Sequence, residues 1–503
     1  MTACDLTVVH LFAGSGGCTL GFQRAGFRSL GSFDFDAVAC RDLERLTGGP
    51  AFCRDLATMQ PAELRGLTGE CPDVVVMSPP CKSFSGCMPA ARAGEAHYVD
   101  MSQLAVRGVF LILEAWARRR PRLILLENVP RIQTRGAALI DQVVQLLQRS
   151  GYTTDQRTHD CGALGGLAQH RHRFLLVARH LETCPDVLRR PTAQRVRTVG
   201  EVLDPLPSPA APHGDELHRL PRLSPLNWLR LAAIRAGKDW RDLPAAIRIA
   251  GERADPRVPW DPETHKGRPD SYGVGGWSAP SLTIRNTRAA VADPRLGCEP
   301  RNGHYGVVDA SLPSPTIIGH HQHDRAPASF ADPRLRHAPR RGTMGVVDPA
   351  VPAPTIRARH DVRQAPGAVV DARGWPVATH ELVREGDDLV LYGPELDLAT
   401  KRSCLLVIRA PDGTWHRPLT DREVAVLQGF PVDCYLEGPS SSAKGRPGRR
   451  EHIGNAIPPP TAEAIAREAA ATLRSKAVAG FLRGADTWVQ PQEAAALGDG
   501  GAA

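Results

Sequence analysis

Short apolar runs of strand length alternate with helix-length periodic segments from Thr7 to about Arg179, the pattern of an α/β domain built on a largely parallel sheet. The candidate strands are Val8 to Phe12, Arg28 to Phe33, Asp73 to Met77, Leu123 to Leu126 and Phe174 to Ala178. Between the third and the fourth, Leu104, Val109, Leu111, Ile112 and Trp116 recur on one face of a helix predicted over 102–119. In such units the loops at the carboxyl ends of the strands are where ligands are held.

After Leu181 the pattern breaks into a long stretch rich in Pro, Gly and Arg and poor in helical periodicity, which predicts a β-rich or irregular insertion over 184–414. A unit recurs within it, over about 255–374. Tyr272-Gly273-Val274 leads to Pro280-Ser281-Leu282-Thr283-Ile284, Tyr305-Gly306-Val307-Val308-Asp309 to Pro315-Thr316-Ile317, and Met344-Gly345-Val346-Val347-Asp348 to Pro354-Thr355-Ile356. Asp-Pro-Arg punctuates the spacing at Asp255, Asp293 and Asp332, and the period of roughly 33 to 39 residues suits stacked supersecondary elements. Helical character resumes over 415–483. Thr420-Asp421-Arg422-Glu423 reads as a capping box, and an Ala-rich helix after Pro458-Pro459-Pro460 carries Ile465, Ala469 and Leu473 on one stripe. The Gly/Ala-rich end, 484–503, reads as a flexible tail.

Composition narrows the class. The 503 residues, 42% apolar, suffice for two or three well-buried domains, so disorder is not the main theme. A formal charge of +8 fits a polyanionic partner, though an arginine-rich composition alone produces the same balance. Twelve cysteines without a C-x-x-C pair argue against a structural zinc site and against a secreted disulfide framework, and point to a reducing cytoplasm. The beginning has no basic segment leading into an apolar one, and no apolar run approaches the ~18 residues of a membrane helix. The expectation is a protein neither exported nor spanning a membrane.

Three stretches carry candidate chemistry. Leu11-Phe12-Ala13-Gly14-Ser15-Gly16-Gly17 follows the first strand and opens a helix, offering close backbone approach and a helix N-terminus; Asp34 and Asp36 end the next strand, where acids accept from ribose hydroxyls. An ordinary tight turn with solvated acids is the alternative. Pro79-Pro80-Cys81 follows the third strand, and two prolines beside a cysteine exclude a regular ladder, so the thiol is displayed rather than packed. Glu127-Asn128-Val129 presents a carboxylate at the same sheet edge, suited to general acid work or hydrogen bonding but also common as a structural acid. In Gln169-His170-Arg171-His172-Arg173, strand alternation is expected to turn Gln169, Arg171 and Arg173 to one side, where guanidinium forks can hold an anionic or carbonyl-rich ligand.

Taken in order, these blocks resemble those of the DNA (cytosine-5) methyltransferase family: Leu11-Phe12-Ala13-Gly14-x-Gly16-Gly17, Pro79-Pro80-Cys81-x-x-Phe84-Ser85, Glu127-Asn128-Val129, Gln169-x-Arg171-x-Arg173, Arg417-Pro418-Leu419-Thr420 through Glu423 to Leu427-Gln428-Gly429-Phe430-Pro431, and Gly454-Asn455-Ala456-Ile457-Pro458-Pro459. They cover residues 5 to 180 and 415 to 480. The resemblance implies a discontinuous, Rossmann-like S-adenosylmethionine-dependent catalytic domain (1–183 and 415–483) with an inserted target-recognition domain (184–414). By the same resemblance Cys81 attacks carbon 6 of a cytosine lifted out of double-stranded DNA, Glu127 engages ring nitrogen 3 and the exocyclic amine, Arg173 contacts the cytosine carbonyl and steadies Glu127, and Arg171 favours the thiolate or a nearby phosphate. Phe12, Gly14, Gly16, Gly17, Asp34, Asp55, Pro80 and Asn455 are carried over as the S-adenosylmethionine pocket, with no metal required.

The chain departs from the family pattern beside the cysteine. Met77-Ser78 stands where the family often has a glycine pair, and Lys82 where Gln is usual; Lys82 either depresses the thiol's pKa or contacts phosphate, or is a surface substitution without consequence. The repeats are either duplicated scaffold or several recognition units, with Arg285, Arg288, Arg357 and Arg359 as candidate phosphate or guanine contacts. His320-His321-Gln322-His323 reads as a solvated loop before a metal site. The function expected is 5-methylcytosine formation in a specific short sequence, in self-protection, restriction–modification or phage defence evasion. Rival readings are a tRNA cytosine-5 methyltransferase, a cytosine-5 alkylating variant using a modified electrophile, and a non-enzymatic DNA-binding relic. The expected setting is cytoplasmic and nucleoid-associated, as a monomer, with any cognate restriction endonuclease acting separately.

Overall fold

The computed structural model describes residues 6–80, 96–184, 188–203, 205–207, 209, 214–220, 222–235, 243–244, 247–249, 252–254, 307–309, 329–332, 369–370, 376–377, 380–400, 402–411, 415–439, 448–474 and 487–489. The chain divides into two compact units, one of residues 1–160, 172–193 and 459–503, the other of 161–171 and 194–458.

The first unit is built on seven strands: β1 (Thr7–Leu11), β2 (Arg28–Asp34), β3 (Ala51–Cys53), β4 (Val74–Met77), β5 (Leu123–Asn128), β6 (Tyr152–Asp160) and β7 (His172–His180), in the spatial order β3-β2-β1-β4-β5-β7-β6. Strands β1 to β5 are parallel, whereas β7 runs antiparallel to β5 and β6 antiparallel to β7. The order reverses beside β1, so the carboxyl ends of β1, β2, β4 and β5 form the crevice where a doubly wound sheet holds its ligand. Among the described residues the longer helices between these strands are α1 (Gly17–Arg24), α2 (Ala37–Thr47), α3 (Pro61–Thr68), α4 (Ala96–Ala115) and α5 (Ala137–Arg149).

Alternation sorts the sheet's two faces. Val9, Leu11, Val75, Met77, Ile124, Leu126, Phe174 and Leu176 join Val109, Ile112 and Trp116 of α4 and Ile140, Val143 and Leu147 of α5 in one core. On the opposite face α1 packs against the helix Pro459–Arg474, which returns from the far end of the chain. Gly21 makes that approach possible: a Cβ there would lie 2.5 Å from both Ala462 Cβ and the Pro459 carbonyl oxygen. Ile465, Ala469 and Leu473 are buried as their stripe predicts.

Strand ends differ from the apolar pattern for local reasons. Phe12 leaves the ladder because its φ is +57°, which ends β1 at Leu11. Helix α4 starts earlier than the apolar face suggests, at Ala96, and stops at Ala115. Two strands escape the apolar pattern: β3 has three residues, too few to show a period, and β6, at the sheet's edge, is largely polar. The alternation expected of Gln169, Arg171 and Arg173 does not hold. β7 begins at His172, so Arg173 alone of the three is on the strand, while Gln169 and Arg171 belong to the second unit.

The second unit is β-rich. An eight-stranded sheet includes His380–Glu385, Asp388–Tyr392, Ile408–Arg409 and Trp415–Pro418, and its core gathers Leu382, Leu389, Leu391, Val407, Ile408 and Trp415 under the helix Pro225–Ala233. Trp228 of that helix stacks on Trp415, centroids 6.1 Å apart and planes 16° from parallel. Two short pieces of the repeat region, Val307–Asp309 and Ser329–Asp332, pair parallel in the same sheet. The rest of the repeats, the histidine run at 320–323, and Arg285, Arg288, Arg357 and Arg359 lie outside the described residues. Thr487–Val489, in the segment expected to be a flexible tail, pairs with Leu188–Arg189. Among the described residues no helix is long and apolar enough to cross a membrane.

Candidate active site

The glycine loop between β1 and α1 is folded by backbone conformations that few residues adopt. Gly14 and Gly16 have φ of +54° and +87°, and Phe12 is the one non-glycine residue with positive φ among those described. Such a conformation costs a non-glycine residue on the order of 1–3 kcal/mol and persists where the surroundings impose it. A Cβ at Gly16 would meet Leu43 Cγ at 2.8 Å, so glycine is needed there for packing, whereas a Cβ at Gly14 would enter open space. The loop is therefore tight against α2 and open on the side of Gly14. Gly17 opens α1, whose N-cap Gly16 supplies no side-chain acceptor, so first-turn N–H groups are available to a ligand.

Asp34 ties this loop to the end of β2. Its Oδ2 accepts from the Gly14 N–H at 2.8 Å and its Oδ1 from the Asp36 N–H at 3.0 Å. Asp36 does not share this role. It is the N-cap of α2, accepting from the Val38 and Ala39 N–H groups at 2.8 and 3.1 Å. Between them Phe35 holds its ring 66% exposed, an apolar face beside a carboxylate that no sequence pattern marked out. Asp55 is exposed in the loop after β3, where it accepts from the Ala57 N–H at 2.9 Å.

The carboxyl ends of β4 and β5 are joined by a hydrogen bond. Ser78 N–H donates to the Leu11 carbonyl at 3.1 Å, and the buried Asn128 amide donates to the Pro79 carbonyl at 3.1 Å, so the Pro79-Pro80 turn is anchored on both neighbouring strands. Nothing in the Glu127-Asn128-Val129 block marks Asn128 out, yet its amide holds the turn. Pro80 leads directly into Cys81. Cys81, Lys82, Phe84 and Ser85 lie outside the described residues.

Beside the anchored turn, Glu127 is 8% exposed and pairs with Arg173, whose Nε stands 3.1 Å from Oε1. Arg173 Nη1 also donates to the His172 carbonyl at 2.9 Å, which fixes the guanidinium's orientation. Both side chains are nearly buried, so removing either would leave the other's charge poorly compensated. His159 faces Arg173 across the β6–β7 ladder, and burial, reinforced by Arg190 and Arg173, pulls its pKa down to about 4. It is neutral near pH 7. Burial, with the Glu127 charge behind it, pushes the Cys18 thiol well above the usual range, which leaves that cysteine inert.

In the second unit a buried polar knot presents Asn455. Arg171, 1% exposed, donates through Nη2 to the carbonyls of Gly454 and Ala456 at 2.7 and 3.2 Å. Gln428 donates to the Ala456 carbonyl at 2.9 Å, and Gln169 donates to Gln428 Oε1 at 2.6 Å. Asn455, between the two gripped carbonyls, is exposed. Arg171 thus has backbone carbonyls as partners, and an encounter with the Cys81 thiol concerns a residue outside those described. The helix Asp421–Leu427 that carries the chain to Gln428 starts with the expected capping box: Thr420 Oγ1 accepts from the Glu423 N–H at 3.2 Å and Glu423 Oε2 from the Thr420 N–H at 2.8 Å. Arg417 locks Glu423 with two bonds of 2.9 and 2.7 Å, both side chains out of solvent.

A crevice at the carboxyl ends of parallel strands, a glycine loop tied to an acid, and a buried Glu–Arg pair beside a prolyl turn define an α/β protein of the S-adenosylmethionine-dependent methyltransferase type. The profile of the C-5 cytosine-specific DNA methylase family matches residues 6–202 and 369–471, and the chain belongs to that family. The interval between the two matched segments is the discontinuity expected of an insertion. Among curated relatives, the Type II methyltransferase M.AplI of Arthrospira platensis is 30% identical over 174 residues, 35% of this chain and 46% of the relative. The Type II methylase M.HgiDII of Herpetosiphon aurantiacus is 28% identical over 311 residues, 61% of this chain and 82% of that protein. The chain therefore spans about half the length of the first relative and most of the second. The crystal structure of S. pombe Dnmt2 methyltransferase aligns at a TM-score of 0.44 and 13% identity, over 93% of this chain and 98% of that one.

Proposed function

We propose that this protein methylates carbon 5 of a cytosine within a specific short sequence of double-stranded DNA, using S-adenosylmethionine and a transient covalent bond to Cys81. The observation that carries the reading is the Glu127–Arg173 pair held beside the Pro79-Pro80 turn that feeds Cys81. Family membership supplies the reaction class.

The pocket's chemistry fits the cofactor. Gly14 leaves open space where any side chain would intrude, Asp34 sets a carboxylate against the glycine loop where a ribose is expected, and Phe35 offers an exposed ring to an adenine. Phe12, Gly16, Gly17, Asp55, Pro80 and Asn455 are assigned to the cofactor by the family resemblance. When bound, S-adenosylmethionine supplies an electrophilic methyl group.

The remaining steps belong to the chain. A base within a duplex stack exposes no ring face, so the target cytosine must swing out. Cys81, as thiolate, adds to carbon 6 and makes carbon 5 nucleophilic. Glu127 engages ring nitrogen 3 and the exocyclic amine, offsetting charge as the adduct forms, while Arg173 keeps the carboxylate oriented and reaches the cytosine carbonyl. Once carbon 5 carries the methyl group, loss of its proton and departure of Cys81 restore the aromatic ring. Arg171 acts at a distance as a positioning residue by holding the segment that displays Asn455.

Residues 184–414 are assigned to target recognition, with the repeats contributing to it, and Type II relatives favour a restriction–modification setting with a separately acting endonuclease. Bisulfite sequencing of DNA from cells expressing the wild type or Cys81→Ala tests the reaction and the target together. One short motif should be protected with the wild type and none with the variant; methyl transfer to tRNA alone, using labelled S-adenosylmethionine, would overturn the reading.

A further inference from the structure

Two cysteines flank the segment assigned to the cofactor's ribose and adenine. Cys40 lies in the first half of α2, buried, and its Sγ–H points at the Asp34 carbonyl at 3.5 Å. Cys53 ends β3, is exposed, and its Sγ–H points at the Phe35 carbonyl at 3.5 Å. The β2–β3 register places Cys53 opposite Asp34, the residue whose carbonyl receives the Cys40 thiol, so the two thiols converge on the Asp34–Phe35 segment. Consecutive carbonyls of the Asp34–Phe35 segment are thus each held by one member of a thiol pair.

We propose that Cys40 and Cys53 form an oxidation site: a hydroperoxide converts them to a disulfide, and the disulfide weakens binding at Asp34–Phe35. Exposure makes Cys53 the thiol that meets the oxidant. Its sulfur attacks one peroxide oxygen, the O–O bond breaks, an alcohol or water departs, and a sulfenic acid remains. Cys40 sulfur then attacks the Cys53 sulfur, the S–O bond breaks, and water leaves with the proton of Cys40. Two thiols and one hydroperoxide give one disulfide, one alcohol or water, and one water. Burial, with the Asp34 charge behind it, pushes the Cys40 pKa up to about 12, so its attack, which must give up that proton, is the slower of the two steps. The disulfide removes both S–H donors from the carbonyls of Asp34 and Phe35 and draws α2 toward β3, so the acid that grips Gly14 shifts with them.

The consequence for binding rests on the cofactor reading above; the disulfide does not. The full-length protein is treated with a few equivalents of hydrogen peroxide, alkylated, and digested with trypsin without reduction. Arg41, Arg45 and Arg54 place Cys40 and Cys53 on different peptides, so the disulfide appears as a cross-linked pair two hydrogens lighter than its parts. Cys53→Ser and Cys40→Ser each should abolish it. Calorimetric binding of S-adenosylhomocysteine should weaken at least fivefold on oxidation of the wild type, stay unchanged in oxidised Cys53→Ser, and recover on reduction. Oxidation of Cys53 to the sulfinic acid without a cross-linked peptide would overturn the site, and a cross-linked protein that binds as before would overturn the coupling. If the reduced protein does not bind the ligand at all, the cofactor reading and the coupling both fall, while the peptide map still decides the disulfide.

Discussion

Arg417→Met should destabilise the second unit more than any surface change, and the size of the effect follows from the burial of its partner. Arg417 and Glu423 are 0% and 1% exposed, joined by two charge-assisted bonds, and Glu423 is simultaneously the reciprocal member of the Thr420 capping box. Removing the guanidinium leaves a carboxylate out of water, a loss of about 3–5 kcal/mol for a pair of this kind. Glu423→Gln keeps an amide oxygen for the Thr420 N–H but strands the Arg417 charge, so its cost should be similar. Since each single change leaves the other charge uncompensated, Arg417→Met/Glu423→Gln should cost less than the sum by about 1–3 kcal/mol. Because the chain forms two compact units, global unfolding is a poor probe. Hydrogen exchange of amides 420–428 reads the local opening free energy instead. The same exchange read against pH supplies a second check. Burial alone would raise the Glu423 pKa, but Arg417 and the hydrogen bonds hold it below the ordinary carboxylate value. A depressed folded-state pKa contributes stability above the unfolded value of 4.5 and loses it as pH falls through the folded one, so protection should decline below that point in the wild type and not in Glu423→Gln. Additive single and double variants, or losses below about 1 kcal/mol, would refute a charge-locked cap.

Gly21→Ala should lower the melting temperature of the first unit, because its Cβ would sit 2.5 Å from Ala462 Cβ and the Pro459 carbonyl, an overpacking worth about 1–3 kcal/mol; an unchanged melt would mean that the two helices part freely. His10 is buried in β1 with neither ring nitrogen hydrogen-bonded and its pKa lowered by burial to about 3. A lowered folded pKa means that the unfolded chain takes up the proton first, so stability is lost as pH falls from 6.5 toward 3, and His10→Leu should flatten that limb in acid denaturation. An identical pH profile for wild type and variant would remove His10 as a cause. Glu127→Gln and Arg173→Gln should each reduce the single-turnover rate of DNA methylation by about a hundredfold or more while DNA affinity changes little. A rate within a few-fold of wild type for Glu127→Gln would contradict its assigned role.

The parts that could be read from the chain are those where local physics suffices. Five core strands announced themselves as apolar runs because both faces of the sheet's interior are covered, and the Thr420–Glu423 cap followed from residue types three positions apart. Strand β6 stayed hidden because an edge strand with one wet face needs no apolar run, and β3 because three residues have no period. The strand-like alternation of Gln169, Arg171 and Arg173 was misleading. Arg171 meets carbonyls more than 280 residues along the chain, a pairing no local pattern encodes. Phe35 and Asn128 have ordinary neighbours in sequence, and only the approach of β2, β4 and β5 makes one an exposed platform and the other a clasp on Pro79.

The covalent step is the claim on which the account depends. Duplex DNA carrying 5-fluorocytosine at the methylated position, incubated with the wild type and S-adenosylmethionine, should give a denaturant-resistant complex, because fluorine at carbon 5 blocks the proton loss that frees the enzyme. Cys81→Ala should bind the same duplex and give none. A wild type that methylates the unmodified duplex yet never traps on the fluorinated one, or a complex that survives in Cys81→Ala, would contradict Cys81 as the nucleophile.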